Sequence, residues 1–138
     1  MNRVVFSSQS DHWSTPEAVY SGLDQEFHFT CDPNPLMSKE DGRKAKWTGS
    51  VFCNPPYSRI GEFIRTGLWH LGTRNCVSIV FLLPARTDTS WFHDFCLVAD
   101  EIRFIRGRLR FGKAKNSAPF PSMIVVFKTW KLEKSPIA

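Results

Sequence analysis

The apolar run from Val77 to Leu83 constrains the fold of this chain more than any other feature of its sequence. The run does not show the strict alternation of apolar and polar residues that is typical of a half-buried strand. A continuous apolar run of this kind is typical of a strand that is buried on both faces of a sheet. The sequence therefore predicts a central strand with other elements packed on each side of it.

Helix-like and strand-like segments alternate along the rest of the chain. A threonine N-cap followed by proline predicts a first helix that starts at Thr15-Pro16 and runs to about Gln25. Further helices are predicted over 60–71 and, after a cap at 87–89, over about 90–98. The remaining strands are predicted at 26–31, 51–53, 101–105 and 123–127, with an irregular segment over 34–46.

This order of elements predicts an α/β fold with a mostly parallel sheet, because most of its strands are separated by helices. The last two predicted strands have no helix-sized segment between them, so we expect them to form an antiparallel edge pair. The length of 138 residues favours one domain over 1–138, with no separate target-recognition domain.

The composition favours a globular protein with polyanionic partners. The formal net charge is +5 and the isoelectric point is about 9.2, a balance that suits nucleic acid. No apolar run approaches the ~20 residues that span a bilayer, and the first residues lack a signal-peptide core. The four cysteines form no CxxC pair and are interpreted as free thiols, and the four histidines lack ligand spacing. We therefore expect a cytoplasmic protein without a structural metal.

Three segments directly follow predicted strands. They are Asp32-Pro33, Asn54-Pro55-Pro56-Tyr57 and the segment 84–88. In open α/β sheets, ligands bind beyond the carboxyl ends of the strands. We therefore expect all three segments to lie on one rim of the sheet and to form the functional site there.

The chemistry is carried by Asn54-Pro55-Pro56-Tyr57. An amino nitrogen conjugated to a ring is a poor nucleophile, and two hydrogen-bond acceptors placed on its hydrogens make its lone pair available for attack. The Asn54 side-chain oxygen supplies one acceptor and the Pro55 carbonyl the other, while Pro56 stiffens the chain. Tyr57 offers a ring face on which an extruded base stacks, worth ~1–3 kcal/mol. The alternative reading is a proline turn after a strand, with Tyr57 in the core.

Several segments, taken in order, resemble the phage-type (Dam-like) DNA N6-adenine methyltransferase family. The resemblance runs from about Asp11 to Phe127. The matching segments are residues 11–16, 47–49, 51–57, 83–89, 91–93, 102–111 and 118–123.

The resemblance implies a minimal Rossmann-like, class I fold that uses S-adenosylmethionine to methylate N6 of adenine in DNA. The target is a flipped base of a duplex or a base in a single strand. In related amino-methyltransferases a Thr-Pro contacts the methionine part of the donor, which assigns Thr15 and Pro16 to it. The end of the first strand lines the donor pocket, which adds Asp32, and Asn54 borders it. The family also implies marking of a phage genome against host restriction.

Two features depart from the family pattern. The stretch Asp32-Pro33-Asn34-Pro35 contains no glycine-rich donor loop, and the interval from Asp32 to Trp47 is short for the helix and strand that normally follow. Trp13 and Trp47 are each expected either to pack against the adenine of the donor or to fill the core, and for Trp47 the core is the favoured alternative.

A cluster of cations begins in the strand predicted at 101–105 and continues past it. Its six members are Arg103, Arg106, Arg108, Arg110, Lys113 and Lys115, and Arg86 is expected on the same functional rim. These residues are candidates for contacts with DNA phosphates, which supply most non-specific affinity. The alternative is a solvated face, with Arg86 in a surface ion pair.

Two rival functions remain open at this point. The same motif occurs in methyltransferases that act on protein glutamine or on guanine N2 of RNA, because an amide or amino nitrogen poses the same chemical problem. A non-catalytic nucleic-acid-binding relative is the second rival, and the missing glycine loop supports it.

Overall fold

The computed structural model describes residues 13–35, 40–110 and 117–129. In chain order its main elements are α1 (Glu17–Phe27), β1 (Gly49–Cys53), α2 (Ile60–Gly72), β2 (Cys76–Pro84), α3 (Ser90–Asp94), β3 (Glu101–Phe104) and β4 (Ser122–Lys128). Single 3-10 turns occupy Gly42–Lys44, Tyr57–Arg59 and Cys96–Val98. The predicted helix over 60–71 is confirmed, as are the strands predicted at 51–53, 77–83, 101–105 and 123–127, to within about two residues at each end.

The four described strands form one mixed sheet in the order β1-β2-β4-β3. β1 pairs in parallel with β2, placing Cys53 opposite Phe81. β4 is antiparallel to both of its neighbours, β2 and β3. The predicted antiparallel edge pair is therefore confirmed. The prediction of a mostly parallel sheet is wrong, because β4 inserts between β2 and β3 and makes two of the three described pairings antiparallel.

The strand predicted at 26–31 is reduced to a single bridge. α1 continues through Phe27 and ends where His28 takes a left-handed conformation, with a φ of 53°. The Asp24 carboxylate accepts a hydrogen bond from the Phe29 backbone N–H at 2.9 Å and so stabilises this helix end. Cys31 then forms an isolated parallel bridge with Val51. The chain thus still runs beside β1 and delivers Asp32 to the same rim as the residues that follow β1.

The two remaining helices also start or end differently from the prediction. Pro16, rather than Thr15, is the N-cap residue of α1, and no side chain caps this helix. α3 ends at Asp94 instead of continuing to residue 98, and the 3-10 turn Cys96–Val98 follows it. The Thr89 hydroxyl caps α3 by accepting from the Phe92 backbone N–H. The cap predicted at 87–89 is therefore at Thr89.

Both faces of the sheet are covered, as the apolar run predicted. Ile79, Phe81 and Leu83 of β2 belong to the cluster on the α2 side, whereas Val80 and Leu82 belong to the cluster on the α1 side. These five side chains have no solvent exposure. Trp47 lies fully buried in the α2-side cluster, with its indole N–H donating to the Gly42 carbonyl at 2.9 Å. The prediction that Trp47 fills the core is confirmed.

The described part of the chain contains no membrane-spanning helix, no disulfide bond and no metal site. No helix within 13–35, 40–110 and 117–129 is long and apolar enough to cross a membrane. All four cysteines are free thiols, and three of them are buried. No group of histidine, cysteine, aspartate and glutamate side chains in these ranges has the arrangement of a metal site.

Comparing Gly67 of α2 with Gly22 of α1 tests how tightly α2 packs on the sheet. A Cβ at Gly67 would lie 2.7 Å from the Trp47 ring and 2.9 Å from Ile79 Cδ1, whereas one at Gly22 of α1 would meet nothing within 4 Å. We expect Gly22→Ala to raise the free energy of unfolding by about 0.5–1 kcal/mol. Gly67→Ala should lower it by about 1–3 kcal/mol, because the buried ring must shift. Urea unfolding of both variants measures the difference, and equal effects would contradict the close packing.

Candidate active site

The three segments that follow predicted strands meet on one rim of the sheet. The Asn34 side-chain amide donates to the Asn54 backbone carbonyl at 2.8 Å, which joins the segment after Cys31 to the segment after β1. β2 continues three residues past Phe81, the partner of Cys53, and ends at Pro84. The Ala85 backbone N–H donates to the Pro121 carbonyl at 2.8 Å, and the neighbouring Phe120 ring contacts Tyr57, so the segment after β2 also lies close to the motif.

A cleft of about 200 Å³ opens on this rim beside α1. Its lining residues are Trp13, Ser14, Thr15, Glu17, Tyr20, Asp32, Asn34, Phe52 and Asn54. Four of the five residues predicted to bind the donor line it, namely Trp13, Thr15, Asp32 and Asn54. Pro16 is not among the lining residues and instead forms the N-cap of α1. The cleft is smaller than the ~300–1,000 Å³ of a complete small-molecule site, so it matches one part of a larger ligand.

The cleft is acidic. Among the described residues that line it, Glu17 and Asp32 carry carboxylates, and none carries a basic side chain. The pKa of the Tyr20 hydroxyl is raised, first by burial and then by nearby carboxylates that include Asp32 and Glu17. The Asp32 carboxylate also accepts from the Asn34 backbone N–H at 2.9 Å, which holds the turn after Cys31. An acidic cleft of this kind favours a ligand that carries positive charge.

The Asn54 side chain is held rigidly at the edge of this cleft. The residue is only 5% exposed. Its amide nitrogen donates to the Trp13 backbone carbonyl and, at 3.1 Å, to the Thr15 hydroxyl oxygen. Its amide oxygen is buried and has no hydrogen-bond partner within the described residues. Since an unsatisfied buried acceptor costs about 1–3 kcal/mol, this oxygen is the place where a donor group of a ligand is expected to bind.

Tyr57 belongs to an aromatic cluster next to Asn54. Its ring lies nearly parallel to that of Trp13, with centroids 6.5 Å apart, and the Phe120 ring meets it edge-on at 5.1 Å. The phenol oxygen is buried and has no hydrogen-bond partner in the described part of the chain. Burial raises the pKa of this phenol strongly, and the positive charge of Arg86 opposes the shift. Tyr57 is therefore neutral at physiological pH and is a hydrophobic, uncharged wall of the site.

The prolines of the motif set its geometry. Pro55 is buried directly after β1, and the Pro56 carbonyl accepts from the Arg59 backbone N–H at 3.0 Å. This hydrogen bond closes the 3-10 turn Tyr57–Arg59, which leads into α2. The motif thus passes from strand to helix within a few residues and keeps Asn54 at the rim.

Except for Arg86, which follows β2, the described candidates for DNA contacts lie on a segment that extends from the end of β3. Arg106, Arg108 and Arg110 are all exposed, while Ile105 and Leu109 pack against the cluster that holds Phe120. The Ala118 backbone N–H donates to the Leu109 carbonyl at 2.7 Å, which ties this segment to the residues before β4. The segment therefore lies beside the aromatic cluster, with its arginines toward solvent. Lys113 lies outside the described residues.

Arg86 and these three arginines differ from Arg43, Arg59 and Arg103 in their pairing. Arg43, Arg59 and Arg103 each form a salt bridge with a carboxylate. The side chains of Arg86, Arg106, Arg108 and Arg110 make no ion pair among the residues that the structure describes. The surface ion pair considered for Arg86 is therefore absent there. Arg65 on α2 also makes no ion pair among the described residues and lies over the Phe95 ring instead. Arg106, Arg108 and Arg110, by contrast, lie on the segment beside the aromatic cluster that contains Tyr57 and Phe120.

Sequence reasoning missed several residues of the cleft. They are Ser14, Glu17, Tyr20, Asn34 and Phe52. Glu17 and Tyr20 follow the Thr-Pro start of α1 and are three residues apart, a spacing that places two side chains on one helix face. Asn34 follows Asp32 by two residues, the spacing of an aspartate turn. Both signals were present in the sequence.

A mixed α/β sheet with an acidic cleft beside a buried amide acceptor is compatible with a methyltransferase that acts on an amino group. The comparisons with known proteins agree with this class. The chain belongs to the DNA N-6-adenine-methyltransferase (Dam) family, whose family model matches residues 4–138. The resemblance predicted from the motifs is thus confirmed.

One curated relative extends this result. The chain is 30% identical over 114 residues to a protein of Escherichia phage T1 named DNA N-6-adenine-methyltransferase. The alignment covers 72% of this chain and 46% of the relative, so the chain spans about half the length of the protein it matches. No solved structure matches the chain significantly.

Proposed function

We propose that this protein transfers a methyl group from S-adenosylmethionine to N6 of adenine in DNA. The observation that carries the proposal is the buried, unpartnered Asn54 amide oxygen at the edge of the acidic cleft. Membership of the family supports the substrate, and the mixed sheet is compatible with the minimal class I fold expected from the resemblance.

The cleft fits the charge of the proposed donor. S-adenosylmethionine carries a sulfonium and an α-ammonium group, and it supplies an electrophilic methyl when bound. Glu17 and Asp32 provide the negative charge that favours such a cation, and Thr15 and Trp13 complete the wall next to Asn54. The volume of about 200 Å³ suits the amino-acid end of the donor. Pro16 contributes indirectly, by starting α1 so that Thr15 and Glu17 reach the cleft.

The base site is formed by the motif itself. The Asn54 amide oxygen accepts one hydrogen of N6, and the Pro55 carbonyl is proposed to accept the other. Together they hold the nitrogen with its lone pair toward the methyl group, which gives much of the rate gain by proximity and orientation. The ring of Tyr57 stacks on the extruded base, and Pro56 stiffens the turn that presents it.

The exposed arginines supply the electrostatic attraction to DNA. Arg86 lies on the rim by Tyr57, and Arg106, Arg108 and Arg110 lie on the adjacent extended segment. Since none of them is neutralised by a carboxylate in the described residues, their charges are available to phosphates. Such contacts position the duplex but do not read its sequence. Lys113 remains a prediction from the sequence alone.

The direct test is methyl transfer from labelled donor to unmethylated DNA. We expect label in DNA and N6-methyladenine when the modified bases are mapped. Guanine-containing RNA and a glutamine peptide are run in parallel, because the same motif occurs in enzymes that act on those nitrogens. Label in the RNA or in the peptide, and not in DNA, would mean that DNA is not the substrate. Donor binding without transfer to any of them would favour the non-catalytic relative.

Removing one carboxylate from the cleft tests the donor site separately. We expect Asp32→Asn to weaken binding of S-adenosylmethionine by roughly 10-fold, because the variant loses a charge near a cation. Asparagine keeps the side-chain oxygen that holds the turn at Asn34. Isothermal titration measures the affinity. Asp94→Asn on α3, which packs on the other side of the sheet, is the matched control, and equal affinity of both variants would contradict the assignment.

A further inference from the structure

The amide of Asn54 is itself oriented by residues that precede α1. Both hydrogens of its nitrogen are used, one by the Trp13 backbone carbonyl and one by the Thr15 hydroxyl oxygen at 3.1 Å. A backbone carbonyl is an acceptor only, so the oxygen of the amide cannot take the place of its nitrogen there. Rotation of the amide by half a turn would bring two oxygens together. The network thus fixes which amide atom is the nitrogen and leaves the buried oxygen as the acceptor without a described partner.

We infer that Thr15 is a positioning residue for methyl transfer, acting through Asn54. Its hydroxyl holds one amide hydrogen so that the amide oxygen of Asn54 is aimed at N6 of the target adenine. This role rests on the proposed function, and it differs from the donor contact that the resemblance implies for Thr15. The residue serves catalysis without touching the reacting nitrogen.

Thr15 is well placed for this role because its backbone is fixed. The next residue, Pro16, is the N-cap of α1 with a φ of −59° and a ψ of 135°. The Pro16 carbonyl accepts from the Tyr20 backbone N–H at 3.1 Å, which anchors the start of the helix. The partner residue, Asn54, is fixed in turn by the hydrogen bond from Asn34 to its carbonyl. Two rigid segments therefore meet at the Asn54 amide, which donates to both Trp13 and Thr15.

The expected size of the effect follows from what remains when the hydroxyl is lost. In Thr15→Val the shape of the side chain is kept, but one hydrogen of the Asn54 amide loses its acceptor. The Trp13 carbonyl still holds the other hydrogen, so the amide is loosened rather than released. We therefore expect the rate of methyl transfer to fall by about 10-fold, which corresponds to the loss of roughly one neutral hydrogen bond. Thr15→Ser keeps the acceptor and should stay within about three-fold of the natural protein.

The test measures single-turnover methyl transfer at saturating donor, so that a change in donor affinity does not enter. Thr15→Val and Thr15→Ser are compared with the natural protein, together with the donor affinity and the melting temperature of each. Thr66→Val is the matched control, because its hydroxyl bonds within α2 to the Glu62 carbonyl. We expect a reduced rate of methyl transfer only in Thr15→Val, and a rate close to that of the natural protein in Thr15→Ser.

Three results would overturn this inference. The first is a methyl-transfer rate in Thr15→Val equal to that of the natural protein. The second is an equal loss of rate in the valine and serine variants, which would mean that losing the methyl group costs as much as losing the hydroxyl. The third is weaker donor binding with an unchanged rate at saturation, which would make Thr15 a donor ligand only. If a valine variant fails to fold, the serine variant together with Thr15→Ala decides between the first two. Absence of transfer by the natural protein would instead defeat the proposed function.

Discussion

Asn54→Ala is expected to abolish detectable methyl transfer, a loss of at least about 10²–10³-fold, while donor affinity stays within about three-fold. In the proposed reaction the lost group is a preorganised acceptor, and its hydrogen bond to N6 strengthens as positive charge develops on that nitrogen in the transition state. In the folded protein the amide oxygen has no other described partner, so no internal hydrogen bond replaces it. The side chain contributes little to the acidic part of the cleft, which is why the donor should still bind.

The measurement is again the single-turnover rate, with donor binding determined by titration. Asn75→Ala is the matched control, because Asn75 contacts His70 near the amino end of β2, away from the rim. A melting temperature close to that of the natural protein shows that the loss is chemical. Full activity in Asn54→Ala would mean that the motif is not the catalytic centre. Loss of donor binding along with activity would place the donor directly against the amide.

The parts of the fold that the sequence predicted well are those governed by local pattern. The apolar run at β2 and the helical periodicity of α2 are properties of neighbouring residues, and both elements formed where predicted. The prediction of a strand at 26–31 was wrong because α1 continues to Phe27. The left-handed conformation of His28 and the hydrogen bond from Phe29 to Asp24 then end the helix. The prediction of mostly parallel strands was wrong because the position of β4 between β2 and β3 depends on contacts between distant segments.

The candidate site shows the same division. The motif singled out Asn54, whose chemistry stays a prediction. The rule for carboxyl ends of strands predicted that Asp32 lies on the same rim, and both residues line one cleft. Thr15 was predicted as a helix cap, but in the structure its hydroxyl is an acceptor for Asn54, 39 residues further along the chain. No local sequence pattern predicts a hydrogen bond between residues so far apart in the chain. Among the missed cleft residues, the spacing of Glu17 and Tyr20 predicts a shared helix face, but which surface that face meets depends on how α1 packs on the sheet.

Replacing Arg106, Arg108 and Arg110 together with alanine is expected to weaken DNA binding on the order of 100-fold at 0.1 M salt. Each phosphate that a cation neutralises adds roughly 0.9 to the slope of log affinity against log salt on duplex DNA. The triple variant should therefore lower that slope by up to about 2.7, if each arginine contacts one phosphate. All three side chains are exposed, so the change should leave the free energy of unfolding nearly unchanged.

The matched control removes the same charge from another surface. Lys44, Lys46 and Arg65 are exposed cations on the α2 side, and their triple alanine variant separates a local contact from a general loss of positive charge. Titration of fluorescent duplex DNA over a range of salt gives both slopes, and mapping of modified adenines gives the pattern of methylation. A lower slope with the same pattern in the Arg106, Arg108 and Arg110 variant supports phosphate contacts. A changed pattern would mean that one arginine reads a base edge, most simply a guanine. An unchanged slope would leave these arginines as a solvated surface, because counterion release would then come from elsewhere.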